Sequence, residues 1–116
     1  MQKFSLNDYM VEPEGKIAKR VIYNDKNTLA FLLNIASGQS LPNHTHFDCT
    51  VLLQVIKGEA VVNVDGEPVS MNESELLQID GSEEMSVDNT GQNVLILYVT
   101  ISPQPPSENY LVDADL

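Results

Sequence analysis

No stretch of this chain sustains the three-to-four-residue apolar spacing of an amphipathic helix over a useful length. It carries instead short β-branched and apolar runs, cut apart by turn residues. Residues 16–23 are β-rich and end in Asn24-Asp25-Lys26-Asn27. Residues 28–36 form a second run, stopped by Ser37-Gly38, and residues 50–56 a third, closed by Lys57-Gly58-Glu59. Residues 60–64 meet Asp65-Gly66 before residues 67–71; Asp-Gly between two such runs is a strong hairpin signal. Residues 75–79 alternate, with Leu77 and Ile79 on one face, and Asp80-Gly81-Ser82 turns the chain. Residues 85–87 make a short strand before the Asn89-Thr90-Gly91 turn, and residues 94–101 a final apolar one. Short strands at close, regular spacing predict an all-β sandwich or barrel.

The 116 residues suffice for one domain with a proper core. We read them as an N-terminal arm (1–15), a barrel core (16–101) and a Pro-rich, then acidic, tail (102–116). In the arm, Tyr9, Met10 and Val11 are packing candidates and Pro13 is a breaker, so it is a short strand or an arm lying on a neighbour. Ser102-Pro103-Gln104-Pro105-Pro106 stops the last strand, because proline cannot donate to a ladder. Beyond it, residues 107–116 form a partly ordered tail, or Tyr110, Leu111 and Val112 dock on the barrel or a partner subunit. Six Lys/Arg against seventeen Asp/Glu leave a net charge of -11. That charge repels phosphate backbones and anionic lipid, which argues against nucleic-acid and membrane partners. A single cysteine, Cys49, fits a reducing compartment. No basic segment followed by an apolar run opens the chain, and residues 94–99, the longest apolar run, are too short to span a bilayer. These features predict a soluble cytoplasmic protein.

The only two histidines, His44 and His46, stand one residue apart, just after Gly38 and Pro42. On a strand, residues two apart share a face, so both imidazoles can aim at one point. Neutral imidazole is the commonest metal ligand, which makes the pair half of a metal site. The other reading is a pair that hydrogen-bonds water or backbone at a barrel mouth.

The stretch from Gly38 to Gly58 resembles the first motif of the cupin superfamily: Gly, five residues, His-x-His, three or four residues, Glu, six residues, Gly. Here Gly38 leads to His44-Thr45-His46, Val51 stands at the glutamate position, and Gly58 closes. The second motif is looser. Ile79-Asp80-Gly81 resembles its Pro-x-Gly turn, Met85 falls at the histidine and Asn89 at the asparagine. The spacing after Gly81 is one residue long, which leaves Glu84 as a second candidate for the histidine position. The resemblance covers roughly residues 16–101 and implies an antiparallel β-barrel of double-stranded jelly-roll type. It also implies a metal held by two histidines, a glutamate and a third histidine, of which only His44 and His46 remain. Valine offers no ligand, and a thioether suits Cu(I) better than Zn, Ni, Fe(II) or Mn.

Three residues are candidates to complete a site. Cys49 is two before Val51 and shares its face if that segment is extended. Asp48 follows His46 by two, and Glu84 would enter if the second motif slips by one. Each has a plainer reading: Cys49 as a buried small hydrophobe, Met85 as core packing, Glu83 and Glu84 as a solvated turn. No nucleophile elbow, GxGxxG or P-loop is present. Ligand count therefore favours a barrel that binds a small molecule, with Val51, Leu53, Met85 and Val87 in its pocket and no cofactor fixed. The alternative is a metal-dependent dioxygenase or isomerase using His44 and His46 with a divalent metal (Zn, Ni, Fe or Mn) or copper; a structural dimer is a third reading. The family's single-domain members are commonly dimers, so a homodimer is expected.

Overall fold

A computed structural model describes residues 1–116. Ten strands follow in order: β1 (Ala18–Asp25), β2 (Thr28–Ile35), β3 (Ser40–His44), β4 (Thr50–Lys57), β5 (Ala60–Val64), β6 (Glu67–Met71), β7 (Leu76–Asp80), β8 (Met85–Asn89), β9 (Leu95–Ser102) and β10 (Ala114–Asp115). All their pairings are antiparallel. They form a six-stranded sheet, β10-β1-β2-β9-β4-β7, and a four-stranded sheet, β3-β8-β5-β6. One cluster of 19 buried apolar residues fills the space between them. This is the all-β barrel expected from the strand and turn cadence, of the jelly-roll type that the resemblance implies. No helix is long and apolar enough to cross a membrane.

Local chemistry explains the turns. Asp65 and Gly66 both adopt positive φ, 49° and 80°, as a two-residue hairpin demands, and Val64 pairs with Glu67 across it. At the β1–β2 turn the Asp25 carboxylate accepts from the Asn27 and Thr28 amides at 2.8 and 3.1 Å, a side-chain substitute for a backbone turn bond. The strand prolines Pro42 and Pro68 lie on β3 and β6, the two edges of the smaller sheet, where a missing amide donor costs least.

β3 and the two-residue β10 are the strands that the apolar-run reading does not assign. β3 is a polar edge strand, half-buried at Leu41 and His44 only, so no hydrophobic run announces it. β8 runs to Asn89, two residues past the expected end. The Asn89 side chain stays in the sheet and shapes the following turn: it donates to the Ile35 and Asn93 carbonyls, each at 2.9 Å, and accepts from the Gly91 amide.

Both ends lie on the barrel. The arm makes a 3-10 turn at Leu6–Tyr9 rather than a strand. It is fixed by buried Asn34, which accepts from the Val11 amide and donates to the Tyr9 carbonyl. β2 is buried at seven consecutive positions, on both faces, where β4 simply alternates, and the arm meets it at Asn34. The tail is ordered: a 3-10 turn at Glu108–Leu111 packs Tyr110 and Leu111 against the core, and β10 pairs with β1. Of the three apolar tail residues, Val112 does not dock; it is exposed.

The β3–β4 turn rests on the β7–β8 turn. The His46 amide donates to the Gly81 carbonyl at 2.9 Å, and the Cys49 amide to the His46 carbonyl at 3.0 Å. A methyl group at Gly81 would overlap the carbonyl oxygens of both His46 and Cys49. Because that overlap is with backbone, relief requires the turn to move. Gly81→Ala is expected to lose about 3 kcal/mol or more of stability; chemical denaturation of the two proteins measures it, and a loss below about 1 kcal/mol would show that the turns can part freely.

Candidate functional site

Two-residue alternation does not bring the histidines together, because β3 ends at His44 and His46 lies in the turn beyond it. The turn itself does so: the rings meet edge to face with centroids 4.6 Å apart. His44 Nδ1 lies 2.8 Å from the Pro42 carbonyl oxygen. A carbonyl can only accept, so Nδ1 carries the proton of this contact and donates. His46 is largely buried and its pKa falls to about 4, through desolvation first, then the His44 ring and the Lys19 charge.

Beneath the pair lies a void of about 20 Å³, bordered by both histidines, Val51, Leu53 and Met85, together with Phe31, Leu33, Leu41 and Val99. The four positions that correspond to the family's ligands do converge here, and His44 pairs with Met85 across β3 and β8. The void has room for about one water molecule, so Val51, Leu53 and Met85 form a packed floor rather than an open pocket. Val87 lines neither this void nor the cavity above it. It is fully buried in the core, paired with Val62 and Leu41.

The candidates for completing a metal site are placed elsewhere. Cys49 is buried, with its thiol donating to the Pro103 carbonyl at 3.4 Å. Burial, and then the Asp48 charge, push its pKa up, away from the thiolate a metal needs. Asp48 is exposed in a left-handed turn conformation, φ 68°. Glu84 is exposed on the β7–β8 turn, where its amide donates to Asp65. No three His, Cys, Asp or Glu side chains come together to hold a metal. The residues present therefore do not fit the family's divalent ion: a hard first-row metal would find two imidazoles and an apolar floor.

Above the void the barrel opens into a cavity of about 390 Å³. Its apolar lining includes Phe31, Leu33 and Leu41, its polar lining Asn43, His44 and His46, and the tail adds Asn109, Tyr110 and Leu116. Larger hollows of about 430 and 540 Å³ exist on the surface, but the first has no hydrophobic lining residue and the second is centred on exposed polar loops.

The residue that sequence reading missed is Lys19, which also lines this cavity. It is only 5% exposed. Its ammonium donates to the Tyr110 carbonyl and lies 5.1 and 5.6 Å from the Phe31 and Tyr110 ring centroids. Burial lowers its pKa, a shift partly opposed by Asp113. The signal was present: Ile17 and Val21 flank Lys19 at spacing two and both pack on the core, so a lysine between them on a strand must point inward.

His46 generates a pH prediction. Its folded pKa lies below the ordinary value, so the unfolded chain takes up a proton first as pH falls. The stability tied to neutral His46 is complete above about pH 6.5 and is lost between there and about pH 4. An NMR titration is expected to place the His46 midpoint near 4, and Lys19→Met to move it upward. A midpoint near 6.5 would mean that the ring is solvated.

Residues 31–101 match the family described as Cupin domain. The fold is similar to that of TT1209 from Thermus thermophilus, with a TM-score of 0.85 at 22% identity over 90% of this chain and 100% of that one. It is similar to an uncharacterized conserved protein with a double-stranded beta-helix domain from Klebsiella pneumoniae, with a TM-score of 0.83 at 18% identity over 88% and 84% of the two chains. It is also similar to an RmlC-like cupin protein from Desulfovibrio desulfuricans, with a TM-score of 0.78 at 21% identity over 89% and 97%. At these identities the likeness shows the fold alone. No curated protein matches the chain.

Proposed function

The chain belongs to the cupin domain family, and from that premise we propose that it binds a small organic molecule at the barrel mouth rather than running metal chemistry inside it. The observation that carries this reading is the cavity of about 390 Å³ above a closed, apolar floor. Its size falls within the range of small-ligand sites, and its mixture of apolar walls with a few polar groups is what such sites show. His44 and His46 then act as polar handles: His44 Nδ1 is held by the Pro42 carbonyl, and neutral His46 offers one N–H and one acceptor.

The metal-dependent enzyme reading retains only those two imidazoles. The one soft set available to it is His44, His46 and Met85, suited to Cu(I). A near-stoichiometric metal, lost from the His44→Ala/His46→Ala double variant, would favour that reading over ours.

The test of ligand binding is a thermal-shift screen of small organic compounds against the protein and against Leu41→Trp, which fills the mouth. Compounds that raise the wild-type Tm by several degrees are expected to leave the Trp variant unmoved. Hits that stabilise both proteins equally, or no hits from a broad set, would overturn the proposal.

A homodimer in the cytoplasm completes it. Leu52 and Leu76, 39% and 59% exposed, lie on neighbouring strands β4 and β7 and on the outer face of the larger sheet. Leu76→Lys is expected to shift the protein from dimer to monomer in sedimentation; a wild-type monomer would exclude this part.

A further inference from the structure

The buried Lys19 ammonium lacks a counter-ion. Ammonium carries three donors, and one of them is used on the Tyr110 carbonyl. The protein's one ion pair within 4 Å is Arg20–Asp115, at the surface. Asp113, whose charge reaches Lys19, accepts from the Val21 amide at 2.6 Å and makes no ion pair with the lysine. No Asp or Glu side chain lines the cavity, although the chain carries seventeen of them, and the terminal carboxylate of Leu116, which does line it, makes no ion pair with Lys19. A buried, unpaired cation is costly to a fold, and the Phe31 and Tyr110 rings compensate for only part of that cost.

The neighbouring donors converge on the same place. His46 and Lys19 flank one ring: the His46 centroid is 5.9 Å and the Lys19 ammonium 5.6 Å from the centre of Tyr110. Asn43 and Asn109 add amide groups to the rim. Phe31, which lies beside the ammonium, supplies with Leu33 and Leu41 the apolar lining. No arginine fork is present at the mouth to take a dianionic phosphate. One ammonium with neutral donors around it matches a single negative charge.

Resting on the small-molecule reading above, we propose that the ligand is a small organic monocarboxylate, its carboxylate seated on Lys19 and His46 and its apolar body against Phe31, Leu33 and Leu41. Lys19 is the residue that selects charge, and the leucine and phenylalanine wall selects shape.

Calorimetric titration of matched pairs tests this directly: hexanoate against hexanamide, and benzoate against benzamide. Each acid is expected to bind about tenfold or more tightly than its amide, the preference that a charge-assisted hydrogen bond supplies. Lys19→Met is expected to abolish the preference by weakening the acids and leaving the amides unchanged. Equal binding of acid and amide to the wild-type protein would overturn the carboxylate assignment while leaving the small-molecule reading intact. Binding of neither would overturn both. The wild-type ratio needs no variant, so the result holds even if Lys19→Met does not fold; Lys19→Gln serves as a second charge-removing variant.

Discussion

The β3–β4 turn lies on the β7–β8 turn backbone against backbone, with no space for a side chain between them at Gly81. Much of the mouth depends on that contact. It carries His46 past the end of β3 and tips its ring against His44, and it holds Cys49 down into the core, facing Pro103 rather than the histidines. Glycine at position 81 is thus a geometric requirement of the histidine pair.

The fold was legible because each strand is short, apolar and closed by a turn residue with a definite conformational reason. The Asp65-Gly66 hairpin and the alternation of β4 are examples. Legibility failed where packing rather than pattern makes the strand. β3 has no apolar run, since it is an edge strand with its outer residues in water. The tail looks like an acidic, Pro-containing end, yet Tyr110 and Leu111 bury enough apolar surface to order it. In the site, the histidine pair and the apolar replacements at 51 and 85 were readable. The plainer readings of Cys49 and Glu84, as a buried hydrophobe and a solvated turn, match their placement, whereas the direction of Asp48 depends on a turn conformation that no spacing rule fixes. Lys19 was readable in principle, from its two apolar neighbours on the same strand face.

The floor and the mouth of this barrel have opposite characters. Val51 and Met85 remove donors from the interior and let it close to about 20 Å³, as a packed core prefers. Lys19 introduces a charge one layer higher, where burial already penalises it. The same interior therefore lacks the anionic ligand that would have held a metal cation and contains a cation of its own. The sign of the site's charge is reversed relative to what the family's motif implies.

One wall of the cavity, Asn109, Tyr110 and Leu116, belongs to the tail, and none of the tail residues is part of the 19-residue core cluster. β10, at its end, is only two residues long. A pocket built this way separates inheritance of the scaffold from inheritance of selectivity. Point changes along residues 103–116 can reshape what the mouth admits while the barrel's core is left untouched, so recognition can diversify faster than architecture.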